Sequence, residues 1–90
     1  MTREQIDDWI SEHFPEAEIL IADGLEEAFL GVACQFDVPI AIFDRDKCLE
    51  ILSRDMNLDE AQEYFEFNIQ GSYVGKSAPA FVTLFKSEDR

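Results

Sequence analysis

Positive charge is almost missing from the first half of this chain. No Lys or Arg occurs between Glu4 and Asp44, whereas eleven acidic residues do. Over all 90 residues, twenty acidic side chains outnumber seven basic ones, which gives a net charge of −13. Phosphate recognition requires cations, so this balance argues against direct binding to DNA, RNA or an anionic membrane. It favours a partner with a basic protein surface, and solubility alone is the open alternative.

Histidine and cysteine are scarce, which limits the chemistry of the chain. His13 is the only histidine, and Cys34 and Cys48 are the only thiols. One histidine and two scattered cysteines do not form a zinc set, and CxxC spacing is absent. Both cysteines have apolar neighbours, which predicts two buried, unpaired thiols. No metal site, cofactor or catalytic residue is predicted.

Long apolar runs and phosphate-binding loops are also missing. The runs "ILIA" and "IAIF" are too short to cross a membrane, and "MTREQIDDWI" lacks the pattern of a secretory signal. We therefore expect a cytoplasmic protein. No Walker loop, dinucleotide fingerprint or nucleophile elbow is present. The segment "DRDKCLE" lacks the glycine turn and distal Glu of a calcium loop. These absences argue against most enzyme chemistries.

The apolar residues that are present predict one acidic α+β domain over residues 1–90, with 86–90 as a frayed tail. "TREQ" has capping-box spacing, so Thr2 is expected to begin a helix that ends at about Phe14, before Pro15.

Short β-branched segments predict three strands after this helix. They cover about 18–22, 28–35 and 39–44, with the first two joined as a hairpin at the turn dipeptide "DG". Gly31, inside the second strand, indicates a bulge or a close backbone approach. The third strand is apolar on both faces, which is typical of a central position.

The second half of the chain predicts two helices and a last strand. Asp44 is expected to cap a helix that begins at Arg45, with Glu50 and Arg54 as an i,i+4 ion pair. A final strand is expected from Ala80. The order α-β-β-β-α-α-β predicts an α+β fold, in which a small, mostly antiparallel sheet of about four strands has three helices packed on one face.

The segment "LDEAQEYFEFNIQG" (58–71) fits either a helix or a strand, and the helix separates rings from charges better. Gly71 is its natural stop. The core-facing stripe contains Leu58, Ala61, Phe65, Asn68 and Ile69.

Carboxylates gathered on helix faces form the predicted partner-binding surface. Side chains on a helix face recur every 5–6 Å, comparable to the phosphates along a nucleic-acid strand. Such rows would attract a basic surface and lose that attraction in salt. The candidate residues are Asp7, Asp8, Glu12, Glu26, Glu27, Asp59, Glu60, Glu63 and Glu66, together with Tyr64.

Exposed aromatic residues give a second hypothesis from a different class. Tyr64, Phe67 and Tyr73 could anchor an apolar interface of an assembly module or a homodimer, since aromatic residues dominate such interfaces. A small enzyme is the third hypothesis. Salt distinguishes the first two, because only an acidic interface weakens sharply as salt increases.

Three segments resemble blocks of an uncharacterised family of small acidic proteins found in phages and bacterial genomes. They are "ADGLEEAFLGVACQF", "IAIFDRDKCLEIL" and "EAQEYFEFNIQGSYVGKSAPAFV", and they lie within residues 20–82. The resemblance implies a phage origin and no catalytic residues. Small acidic phage proteins often resemble inhibitors of host nucleic-acid enzymes, of the anti-CRISPR or anti-restriction type. The resemblance therefore supports nucleic-acid mimicry, and it fits a housekeeping or host-takeover role as well.

Overall fold

The computed structural model is α+β, with three helices and a three-stranded mixed sheet among the residues that it describes. It describes residues 2–71, 75 and 77–85. The predicted tail 86–90 and the candidate anchor Tyr73 lie outside these residues. Within the described part of the chain, no helix has the length and apolar composition needed to cross a membrane.

The described residues form six regular elements, with a 3-10 turn (Glu26–Ala28) before the first strand and a π-helical segment (Phe65–Gln70) after the third helix. The elements are α1 (Arg3–His13), β1 (Phe29–Gln35), β2 (Val38–Asp44), α2 (Arg45–Leu52), α3 (Leu58–Tyr64) and β3 (Ala80–Val82).

The sheet has the order β1-β2-β3, so the strand predicted to be central is central. The strands β1 and β2 are antiparallel, whereas β2 and β3 are parallel over Ile42↔Ala80 to Asp44↔Val82. The sheet is therefore mixed rather than mostly antiparallel, because the chain crosses over through α2 and α3 before β3 begins. About four strands were predicted, and three are present among the described residues.

The strand predicted at about 18–22 is not formed, and the hairpin joins β1 to β2 instead. In this segment Ile21 and Ala22 are buried in the core, while Leu20 is exposed. The segment thus contributes apolar side chains to the core without a backbone ladder. The prediction rested on the short, β-branched composition of this segment, which fits its partial burial, and burial alone does not require a pairing strand.

The β1–β2 hairpin has two irregularities, a bulge that the sequence predicted and a turn that it did not. Its pairing shifts register between Phe29 and Gly31, which confirms the predicted bulge. Its two-residue loop contains Phe36 and Asp37, and both have positive φ, at 52° and 65°. Two successive positive φ values are typical of a type I′ turn, in which Asn-Gly is the favoured pair. A bulky residue in this conformation is uncommon.

Side-chain caps begin the first two helices at the predicted residues. The Thr2 hydroxyl accepts a hydrogen bond from the Gln5 amide at 3.1 Å, and the Gln5 side chain accepts one from the Thr2 amide at 2.8 Å. This is the predicted capping box. The Asp44 carboxylate accepts hydrogen bonds from the amides of Asp46 and Lys47 at 3.0 and 3.3 Å, and it thereby caps α2.

The helix predicted from Leu58 is present, but its second half is π-helical. The Gly71 amide donates to the carbonyl of Glu66, five residues earlier, at 3.2 Å. A Cβ at Gly71 would lie 3.2 Å from that oxygen, which is why glycine fits there. The wider turn rotates later residues relative to earlier ones. Two of the predicted core-facing residues, Leu58 and Asn68, are exposed as a result of this rotation and of the position of Leu58 at the helix start.

A chain of aromatic contacts runs through the core from α1 to the π-helical segment. Ring centroids lie 6.1 Å apart for Trp9 and Phe29, 5.7 Å for Phe29 and Phe43, and 5.7 Å for Phe43 and Phe81. Phe81 then meets the edge of Phe65 at 5.0 Å. Phe43 and Phe65 are fully buried. These rings hold α1, the sheet and the π-helical segment together.

Candidate functional site

All four Lys and Arg side chains in the described residues contact carboxylates. Arg3 contacts Asp7 at 3.1 Å and also contacts Asp23. The remaining cations are engaged as follows: Arg45 with Glu66 at 3.8 Å, Lys47 with Glu50 at 3.1 Å, and Arg54 with Glu27 at 3.0 Å. Three predicted partner-binding residues, Asp7, Glu27 and Glu66, are therefore part of intramolecular ion pairs.

The pair between Arg54 and Glu27 has the most specific geometry. The two terminal guanidinium nitrogens of Arg54, Nη1 and Nη2, donate to Oε2 and Oε1 of Glu27 at 3.1 and 3.0 Å. These hydrogen bonds lower the pKa of Glu27 and raise the pKa of Arg54. They connect the turn after α2 to the 3-10 turn before β1. The predicted Glu50–Arg54 pair is replaced, because Arg54 contacts Glu27 and Glu50 contacts Lys47.

The other predicted carboxylates have no Lys or Arg within ion-pair distance among the described residues. On α1 these are Asp8 and Glu12, which are exposed. Glu26 is half-buried and accepts a hydrogen bond from the Gly24 amide at 3.3 Å. Asp59, Glu60 and Glu63 on α3 are exposed.

An open groove on the outer side of α3 brings carboxylates and aromatic rings together. Its volume is about 420 Å³. Tyr64 and Phe67 are 42% and 73% exposed, which agrees with the predicted exposure of both rings. The groove is lined by Met56, Glu60, Glu63, Tyr64, Phe67 and Asn68.

The start of α3 fixes one end of this groove. Asn57 caps the helix by accepting a hydrogen bond from the Glu60 amide at 2.8 Å, and the Glu60 carboxylate accepts one from the Asn57 amide at 3.2 Å. This capping box holds Glu60 at the first turn. Residues three and four positions later, Glu63 and Tyr64, then lie on the same side of the helix.

Two lining residues, Met56 and Asn68, were missed in the sequence. Helical spacing from Ala61 and Phe65 assigned Asn68 to the core stripe, whereas the π-helical turn brings it to the groove beside Tyr64 and Phe67. Nothing in the sequence marks Met56, which lies in the turn between α2 and α3.

The groove offers groups that recognise cations. A carboxylate attracts a Lys or Arg side chain, and an exposed ring face adds a cation–π contact. The thioether of Met56 is polarisable and adapts to the aliphatic part of such a side chain. The residues that line this groove include no Ser, Cys, His or Lys.

The two thiols and the histidine are not among the residues that line this groove. Cys48 is buried, which raises its pKa to about 12 and keeps it protonated. Cys34 is exposed, because it lies on β1, which is an edge strand. The prediction of burial was therefore wrong for this thiol. Both are free. The ring of His13 lies 4.6 Å from that of Trp9. Within the described residues, no three His, Cys, Asp or Glu side chains are grouped to hold a metal.

Comparison with protein-family models, curated proteins and solved structures finds no match to this chain.

Proposed function

We propose that this protein is a non-enzymatic, cytoplasmic binding protein that recognises Lys and Arg side chains on the basic surface of a protein partner. The groove on α3 is the primary contact. The observation that carries the proposal is that Glu60 and Glu63 line the same groove as the exposed rings of Tyr64 and Phe67. No Lys or Arg of the described residues lies within ion-pair distance of either carboxylate.

The free carboxylates explain why binding, and not only solubility, is proposed. Surface acids that serve solubility alone need no aromatic neighbours, whereas an exposed ring beside carboxylates lacks a purely solubilising role. A net charge of −13 also raises the rate of encounter with a basic partner at low salt. The groove and the net charge both favour binding of a ligand that carries Lys or Arg side chains.

The test uses a fluorescein-labelled peptide of alternating Arg and Gly, with binding followed by fluorescence anisotropy. The double variant Glu60→Gln and Glu63→Gln removes both charges, and the glutamine at position 60 keeps the capping box. We expect its Kd to rise about tenfold, an effect of about 1.4 kcal/mol shared by two carboxylates. Binding by the wild type should weaken strongly between about 20 and 200 mM salt.

The matched control is the double variant Glu16→Gln and Glu18→Gln. It removes the same charge from exposed positions after α1. We expect less than about a twofold change in Kd, because the general attraction of the chain falls only slightly. Equal weakening by both variants would reject a defined site and leave net charge as the cause.

A second candidate function is assembly through the exposed rings, and the exposure of Tyr64 and Phe67 favours it. The variant Phe67→Ala separates the two functions. Under the cation-binding proposal it weakens the Arg peptide and leaves the protein's oligomeric state unchanged. Under the assembly proposal it converts a salt-insensitive homodimer to a monomer, as measured by analytical ultracentrifugation.

A sharper form of the proposal is inhibition of a host nucleic-acid-binding protein by nucleic-acid mimicry. Asp7, Glu27 and Glu66 form intramolecular ion pairs, so the remaining free carboxylates form short patches and not long rows. We therefore favour local recognition of cationic side chains over mimicry of a nucleic-acid strand. Mimicry requires that duplex DNA compete with this protein for its partner. Partner binding that saturating DNA leaves unchanged would exclude it.

A further inference from the structure

The outer edge of β1 has no partner strand among the described residues. β1 is the first strand in the order β1-β2-β3 and pairs only with β2. Hydrogen-bonded pairs alternate along an antiparallel ladder, so about half of its backbone groups point away from β2. Charged side chains and proline protect sheet edges from further pairing, and residues 28–36 contain neither. The bulge before Gly31 leaves Gly31–Gln35 as the regular part of this edge.

An open, mainly apolar groove adjoins the start of this edge. Its volume is about 490 Å³, and it lies between α1 and β1. Trp9 is 39% exposed and Leu30 is 50% exposed, so both present apolar surface in the groove. The lining residues are Gln5, Ile6, Trp9, Phe29, Leu30 and Gly31.

Two free carboxylates of α1 are helix neighbours of residues that line this groove. Asp8 follows Gln5 by three residues and Glu12 follows Trp9 by three, so these carboxylates lie beside the lining face of α1 without being part of the lining. Both are exposed, and neither has a Lys or Arg of the described residues within ion-pair distance. These carboxylates therefore complement a cationic ligand. They repel a second copy of this chain, which carries the same charge of −13.

We propose that the open edge of β1 binds an extended segment of a basic partner, which adds to the sheet as a fourth strand. Its backbone pairs with Gly31–Gln35, its apolar side chains contact Trp9 and Leu30, and its Lys or Arg side chains lie near Asp8 and Glu12. In strand addition of this kind the main chain supplies affinity and the side-chain contacts supply specificity. This surface is separate from the groove on α3.

Trp9 provides the measurement, because it is the only tryptophan and lines the groove. The probe is the peptide acetyl-KVTVKVTVK-amide. The control peptide acetyl-KVTPKPTVK-amide keeps the charge but loses two backbone donors and strand geometry. We expect the first peptide to change Trp9 fluorescence saturably, with a Kd at least about tenfold lower than that of the control. Amide hydrogen exchange in β1 should slow only with the first peptide.

A pair of variants tests the protein side. Leu30→Lys puts a cation at the edge and should weaken the first peptide at least about tenfold. Leu84→Lys makes the same charge change at a similarly exposed leucine after β3, at the opposite edge, and should change binding less than about twofold. Circular dichroism verifies that both variants fold.

Three results would overturn this proposal. The first is equal binding of the two peptides, which would show that charge alone attracts them. The second is β1 protection in a homodimer without peptide, which would assign the edge to a second copy of the chain. The third is loss of the Trp9 signal in the Glu60→Gln, Glu63→Gln variant, which would place the peptide on α3. That variant should leave the Trp9 titration unchanged even if the α3 proposal fails.

Discussion

Replacing Phe36 by Asn should stabilise the protein, because Phe36 has φ of 52° in the β1–β2 turn. The left-handed conformation costs an ordinary L-residue about 1–2 kcal/mol, and Asn tolerates it better through its short polar side chain. Little packing is lost, since the side chain of Phe36 is 90% exposed.

The control Phe36→Ala separates conformation from the ring. Both variants delete the ring, but only Asn relieves the left-handed backbone. We expect the Asn variant to exceed the Ala variant by about 1 kcal/mol in the free energy of unfolding. For a domain of this size that difference corresponds to about 4–8 °C in Tm. The Ala variant should lie close to the wild type.

Urea denaturation followed by circular dichroism measures the effect, and unchanged m-values verify that the unfolding transition is the same. An Asn variant no more stable than the Ala variant would refute the assignment of strain to this turn. A loss of more than about 1 kcal/mol in the Ala variant would show that the Phe36 ring packs in the folded protein.

Three further predictions concern the core, pH and the thiols. Phe65→Ala removes a fully buried ring and should lower the free energy of unfolding by about 3–5 kcal/mol in urea; a loss below about 1 kcal/mol would contradict its core role. Glu27→Gln should destabilise the protein at neutral pH. Arg54 lowers the pKa of Glu27 in the folded protein. The stabilisation that the Glu27 carboxylate contributes is therefore present above the unfolded pKa of about 4.3 and is lost as pH falls through the folded pKa. The difference between wild type and variant should therefore shrink in acid, and a difference independent of pH would refute this linkage. With a thiol-reactive disulfide at about pH 8, Cys34 should react rapidly and Cys48 only after unfolding; two rapid equivalents would contradict the burial of Cys48.

Local signals in the sequence predicted the starts of helices well. Thr2 and Asp44 each cap the helix that follows them, as predicted, and Asn57, which the sequence did not distinguish from Asp59 as the cap of α3, caps that helix. A cap requires only groups within a few residues, so the sequence contains nearly all the information it needs. The bulge at Gly31 was predictable for the same reason.

Pairing between segments was harder to predict. The segment 18–22 has the β-branched composition of a strand, but its partner was assigned by proximity, and Phe29–Gln35 pairs with β2 instead. The loop of that hairpin is Phe-Asp, which lacks the Asn-Gly signature of a type I′ turn. The strand β3 pairs with β2 over only three residues, and its parallel direction depends on the path of both intervening helices.

The sequence predicted which residues supply the charges of the candidate site. It did not predict which of these carboxylates form intramolecular ion pairs and which remain free. The sequence indicated acidic helix faces, and Glu60 and Glu63 lie where helical spacing put them. It did not reveal which acids have cationic neighbours, because Arg54 and Glu27 are far apart in the chain and meet only in the folded protein. The groove on α3 also depends on Met56, in a turn whose geometry has no marker in the sequence.

The parallel pairing of β2 with β3 has a consequence for the growing polypeptide. The hairpin of β1 and β2 can form as soon as residues 29–44 leave the ribosome, since its contacts are local. The far side of β2 remains uncovered until Ala80–Val82 have been synthesised, and until then Phe43 lacks its contact with Phe81. A pause in translation within residues 45–79 would therefore prolong a nascent state in which both sides of the hairpin can recruit foreign strands.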